Sequence, residues 1–149
     1  MRNILGRERI YNKTFEKLGN SAVVHWDVLP INKEQEICLQ FISTNSMYRQ
    51  GIRLAIGVGE GYIEINGVRS KEMYVWEDTA PKNVHIKCVS EEGLLSIYNV
   101  FDLGKGGRRS LVDSSGMLVE QQNNRIVYKC NDAGFQTNFD KLIFQIVLL

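Results

Sequence analysis

Apolar side chains recur at every second position along several stretches of this sequence, and that spacing restricts its fold more than any other feature. Val24, Trp26 and Val28 alternate with His25 and Asp27, and Ile37, Leu39 and Phe41 alternate with Cys38 and Gln40. Ile52, Leu54, Ile56 and Val58 alternate with Arg53, Ala55 and Gly57, and Val84, Ile86 and Cys88 with His85 and Lys87. Successive side chains of a strand point to opposite faces, so each stretch predicts a strand with one face buried and the other, including His25 and Asp27, turned to water. Residues 94–101 and 142–149 are apolar at almost every position, which predicts central strands covered on both faces.

The turns carry their own chemistry. Asn66-Gly67 follows Tyr62-Ile63-Glu64-Ile65 and precedes Val68-Arg69. A two-residue type I′ turn needs positive φ at both central residues, and Asn-Gly supplies it. That loop places Ile65 opposite Val68 and Glu64 opposite Arg69, where opposite charges reinforce the register. Glu91-Glu92-Gly93 and Asn123-Asn124 are the next turn signals, Asn being the residue after glycine that best tolerates the left-handed region. An unbroken strand from Val68 would put residues 70, 72, 74 and 76 on the buried face and bury Glu72 at high cost. A bulge near residues 70–72 removes the conflict and turns Trp76 outward.

Strands recurring about every 10 residues without a long helical period predict two packed antiparallel sheets. The 149 residues suit one domain. The expected fold is therefore a single all-β domain over 1–149, an antiparallel, jelly-roll-like β-sandwich of about nine or ten strands. Residues 1–20 are its least regular part, with a short edge strand at residues 9–15 or a helical turn.

Charge narrows the partners. Eighteen Lys and Arg against seventeen Asp and Glu leave a formal +1, without the field that drives non-specific binding to nucleic acid or to an anionic membrane. No uncharged apolar run approaches the roughly 20 residues of a membrane-spanning helix, and the first residues lack the apolar core of a signal peptide. Cys38, Cys88 and Cys130 lie in separate apolar strand stretches with no Cys-x-x-Cys spacing. They read as small buried hydrophobes in a reducing cytoplasm rather than as metal ligands or disulfides.

Catalytic motifs are lacking. The two histidines, His25 and His85, adjoin no nucleophile motif, and His-Glu-x-x-His and Gly-x-Ser-x-Gly are absent. His25 and Asp27 share a strand face, a spacing that suits a surface contact better than a catalytic dyad. A cupin-type metal centre needs more histidines than two. What is left on the enzymatic side is a carboxylate-dependent hydrolase or lyase whose acids meet only in the fold.

The binding signals are stronger. Asp102-Leu103-Gly104-Lys105-Gly106-Gly107-Arg108-Arg109 combines glycines, which expose backbone N–H groups, with cations suited to an anion. Trp76-Glu77-Asp78 places an aromatic beside two acids, the mixture that meets a sugar's apolar face and its hydroxyls. Asp78, Asp102, Asp113 and Asn131-Asp132 have the oxygen chemistry of Ca²⁺ loops, but turns use the same residue types and EF-hand spacing is absent, so no cofactor and no metal ligand is assigned. Tyr98-Asn99-Val100-Phe101-Asp102 and Asn131-Asp132 are similar to segments of bacterial sandwich domains in general, a resemblance that implies a fold and no function.

The expectation is thus a non-catalytic binding module. Trp76, Asp78, Asp102, Lys105, Arg108 and Arg109 in end loops contact a saccharide, another polar or anionic small molecule, or a partner protein. The alternative is a protein-interaction or oligomerising structural domain that pairs through a strand edge, as the apolar C-terminal strand would if it lay on one, or through a sheet face.

Overall fold

Thirteen strands and one short helix form among residues 5–104, 107–135 and 138–149, which the computed structural model describes. In chain order they are β1 (Ile10–Tyr11), α1 (Lys13–Lys17), β2 (Val24–Pro30), β3 (Glu34–Thr44), β4 (Arg49–Ala55), β5 (Gly61–Ile65), β6 (Val68–Ser70) and β7 (Glu72–Trp76). There follow β8 (Val84–Ser90), β9 (Leu94–Asp102), β10 (Arg108–Ser110), β11 (Gly116–Gln122), β12 (Arg125–Asn131) and β13 (Leu142–Leu148). The fold is all-β and antiparallel, as the alternation requires. The count exceeds nine or ten because β1, β6 and β10 are only two or three residues long, too short to leave a periodic signal.

The strands form one nearly closed sheet in the order β6-β5-β8-β3-β13-β12-β11-β2-β9-β4-β7, with β1 beside β2 and β10 beside β9. Strand β2 is the corner between two layers. Its Val24 pairs with Met117 of β11, whereas Asp27 to Pro30 pair with Ile97 to Leu94 of β9. Between the layers Ile37, Leu39, Ile86, Tyr128, Phe144 and Ile146 of one pack with Ile52, Leu54, Leu95 and Ile97 of the other. The two ends of the path, β6 and β7, are separated in sequence only by Lys71, whose carbonyl accepts the Ile56 N–H at 2.8 Å.

The hairpin register is the one its turn dictates. Ile65 pairs with Val68 and Glu64 with Arg69, Asn66 and Gly67 have φ of 51° and 79°, and the Glu64–Arg69 ion pair closes at 2.6 Å. Lys71 interrupts the strand at the point where continuity would have buried Glu72, and Glu72 is exposed. Residues 9–15 supply both a short strand and a helical turn. Asn12 Oδ1 caps α1 by accepting the Thr14 and Phe15 N–H groups at 2.9 and 3.0 Å, and Phe15 anchors the turn against Val23 and Phe139. Strand β13 lies between β12 and β3, so the apolar C-terminal strand is covered on both edges and offers no edge for a second chain.

The expectation for Asp27 requires correction. It is fully buried, 0% exposed, because β2 twists between its two sheets and the outward face at His25 becomes interior two residues later. Its carboxylate accepts from Tyr128 Oη and from Arg9 Nε, each at 2.7 Å. His25 meets Asn12 Nδ2 at 3.2 Å instead, so the His25–Asp27 surface contact does not form. All three cysteines are free and buried. Burial, with a smaller contribution from the Glu36 charge, pushes the Cys88 thiol up to about 12, the behaviour of a packed hydrophobe. Among the described residues no helix is long and apolar enough to cross a membrane.

Candidate functional site

The alternation of β4 builds the site. Ile52 and Leu54 point into the core, so Arg49, Gly51 and Arg53 project from the outer face of the second layer. Register brings the rest. Gly51 and Arg53 lie opposite Trp76 and Tyr74 of β7, while Arg49 and Arg53 lie opposite Asp102 and Tyr98 of β9. Strand β10 then sets Arg108 opposite Asp102 from the other side.

These side chains form stacked cation–aromatic pairs. The Arg49 guanidinium lies 4.4 Å from the Trp76 ring centroid, and its Nε donates to both oxygens of Asp78 at 2.8 and 2.9 Å. Arg53 lies 5.0 Å from the Tyr98 ring and 5.9 Å from Trp26, and pairs with Glu72 at 2.7 Å. Arg108 lies 3.8 Å over Tyr74. Trp26 stands edge-on to Tyr98 at 5.5 Å and donates from Nε1 to Ser96 Oγ. Burial raises the Tyr98 phenol above its ordinary value, against the Arg53 charge and a Ser110 hydrogen bond that favour the phenolate.

Gly51 makes room for this arrangement. A Cβ there would stand 2.7 Å from the Val75 carbonyl and 2.8 Å from Trp76 Cε3, so the indole lies across the glycine and Arg49 covers it.

The charges on this platform are unequal in status. Arg49 and Arg53 are held by Asp78 and Glu72. Arg108 and Arg109 are exposed, and neither makes an ion pair among the described residues. A guanidinium resting on an aromatic face keeps its N–H edge free for bidentate contact with a carboxylate, sulfate or phosphate. Asp102 uses Oδ1 to accept the Gly104 N–H at 2.8 Å and so shapes its own loop.

Of the residues expected to make contacts, Trp76, Asp78, Asp102 and Arg108 come together here, and Arg109 follows on β10. Lys105 lies outside the described residues. Sequence reasoning missed Arg49, Arg53 and Tyr74 as members of the site. The signal for the two arginines was present, since both sit at outward positions of an alternating strand that also carries a glycine, but only register shows which aromatics they meet.

Beside the platform, Met47 and Arg49 line a recess with Asp102, and Met47 also lines a cleft of about 800 Å³ at the same end. That cleft has Ser46, Tyr48, Asp132, Phe135 and Lys141 on its walls. Met47 is 89% and Phe135 47% exposed.

No protein-family model matches the chain, and neither does any curated protein. Among solved structures it is similar to a lectin of Chromobacterium violaceum in complex with alpha-methyl-fucoside. The two are 14% identical, with a TM-score of 0.40, over 82% of this chain and 93% of the lectin chain.

Proposed function

We propose that this chain is a non-catalytic binding module whose outer-face platform takes a polar anionic small molecule, an acidic saccharide foremost. The observation that carries this reading is Arg108, seated 3.8 Å over Tyr74 with no carboxylate partner among the described residues. Its neighbours Arg49 and Arg53 are already ion-paired and serve as the frame. An anion arriving there meets a guanidinium whose orientation is set beforehand, which lowers the entropic cost of binding. The platform is an open face of a sheet rather than an enclosed pocket, and this suits a sugar acid or a stretch of acidic polysaccharide. The outer rings are themselves capped by guanidinium groups, so the anionic group, rather than sugar stacking on Trp76, provides the main recognition.

A thermal-shift panel tests this. Oligogalacturonate and a sulfated oligosaccharide should raise the midpoint, while a neutral glucose oligomer should not. Inorganic phosphate separates a bare anion from a sugar acid. A ligand at about 100 times its dissociation constant adds roughly 2.7 kcal/mol, several degrees for a domain of this size. In the Arg108→Ala/Arg109→Ala variant the shift should vanish. An undiminished shift in that variant, or an equal one with the neutral sugar, would remove the platform from the site.

A further inference from the structure

The cleft of about 800 Å³ at the end of the molecule has a different chemistry from the platform. Its walls come from the β3–β4 loop and from the two ends of the segment between β12 and β13. Among the described residues they carry one carboxylate and one ammonium, those of Asp132 and Lys141. Consecutive residues of the loop hold the two. The Asn45 N–H donates to the Lys141 carbonyl at 3.1 Å, and Ser46 Oγ donates to Asp132 Oδ2 at 2.5 Å. Consecutive Cα atoms are about 3.8 Å apart, so both charged residues are anchored at one point of the cleft. Yet they do not pair with each other. Neither Asp132 nor Lys141 makes an ion pair among the described residues.

The carboxylate is held instead by neutral donors. Asp132 is 2% exposed. Gln50 Nε2 donates to Oδ2 at 2.9 Å, and Ser46, which donates to the same oxygen, is itself fixed by accepting the Tyr48 N–H at 3.1 Å. Both side-chain hydrogen bonds thus use Oδ2, and Oδ1 accepts none among the described residues. A buried carboxylate without a counter-charge is costly, and a cationic N–H reaching its second oxygen offsets that cost. Lys141, half-buried, lacks an anion in the same way. Apolar surface adjoins the two charges. Phe135 is 47% exposed although its ring is anchored on Phe15 at 5.3 Å, and Met47 is 89% exposed.

We propose that this cleft binds a free α-amino acid with a large apolar side chain. The ligand's ammonium meets Asp132 Oδ1, its carboxylate meets Lys141, and its side chain lies against Phe135 and Met47. One carboxylate is too few for a divalent cation, which gathers several oxygens, but suffices for an ammonium group. A neutral molecule would leave both protein charges unmatched, and a simple amine or acid would leave one. A zwitterion matches both, and the cleft has the size usual for small-molecule sites.

Isothermal titration of L-phenylalanine into the full chain tests this, with no saccharide present. Two further probes are 2-phenylethylamine, which lacks the carboxylate, and 3-phenylpropionate, which lacks the ammonium. Phenylalanine should bind saturably, and each of the other two about tenfold more weakly or worse, because each loses one charge-assisted contact. Asp132→Asn should weaken phenylalanine by a similar factor. If that buried variant does not fold, Lys141→Met, which keeps the aliphatic stem, decides. It should weaken phenylalanine about tenfold and leave 2-phenylethylamine unaffected. No saturable binding up to about 10 mM phenylalanine, well beyond a millimolar dissociation constant, would overturn the proposal. So would a Lys141→Met variant that binds phenylalanine as the wild type does. Equal affinity for 2-phenylethylamine would overturn it too, and equal affinity for 3-phenylpropionate would mean a bare anion site such as the guanidinium of the platform.

Discussion

Asp27 shows how a single residue can be held in a place its sequence neighbours do not announce. Its carboxylate lies wholly inside, one oxygen on Tyr128 Oη and the other on Arg9 Nε, and Tyr128 in turn stacks on Phe144 at 4.6 Å. Tyr128→Phe would leave one oxygen of a buried charge without its donor, so it should cost about 1.5–3 kcal/mol in urea unfolding. A loss below about 0.5 kcal/mol would mean that the carboxylate is satisfied some other way. Burial, reinforced by the Asp27 charge, raises the Tyr128 phenol well above its ordinary value, and burial does the same for the Cys88 and Cys130 thiols. A group whose folded pKa is raised contributes its full share of stability below the unfolded value and loses that share as pH climbs toward the folded one. The unfolded chain therefore releases these protons first. Stability should fall above pH ~9, by about 1.4 kcal/mol per pH unit for each group titrating. Cys88→Ala should flatten that fall, and a slope unchanged by this substitution would contradict the assignment. None of this was legible at Asp27, because alternation assumes that a strand keeps one sheet on each side and β2 changes sheets midway.

At the scale of elements the sequence was far more readable. The Asn66-Gly67 turn fixed both cross-strand pairs of its hairpin, and the high cost of burying Glu72 pointed to a bulge at residues 70–72, where the structure instead ends β6 and starts β7 at the other end of the sheet path. Those are local rules, obeyed by local geometry. The run at residues 142–149, apolar except at Gln145, likewise pointed to a central strand, and β13 lies between β12 and β3. Gly51 was less legible, as its use is set by a ring on another strand. Gly51→Ala would drive a methyl group into the Val75 carbonyl and the Trp76 ring, overpacking worth about 1–3 kcal/mol. The variant should show an altered Trp fluorescence maximum and weaker binding of the acidic probe. A spectrum and affinity identical to wild type would show that Trp76 does not depend on the glycine for its seat.

For the whole molecule, composition was nearly silent. A net charge of +1 conceals an outer face with Arg49, Arg53 and Arg108 and, at the end cleft, Asp132 and Asp140, which make no ion pair among the described residues. Both depend on strand order. The path β10-β9-β4-β7 places Arg108, Asp102, Arg49 and Trp76 side by side, although they span residues 49 to 108, and no periodicity within a strand encodes which strand lies next to it. Hence the sequence named Trp76, Asp78, Asp102 and Arg108 one by one, while their adjacency and the frame supplied by Arg49, Arg53 and Tyr74 emerged only from the register.

The central claim, that Arg108 on its tyrosine receives an anion, is tested most directly by isothermal titration of oligogalacturonate into the wild type and into Arg108→Ala. A freed charge-assisted contact is worth roughly 1.5–3 kcal/mol, so the substitution should weaken binding by about tenfold or more. The wild-type affinity should also decline as salt is raised. Equal affinities for the two proteins, or binding indifferent to salt, would contradict it.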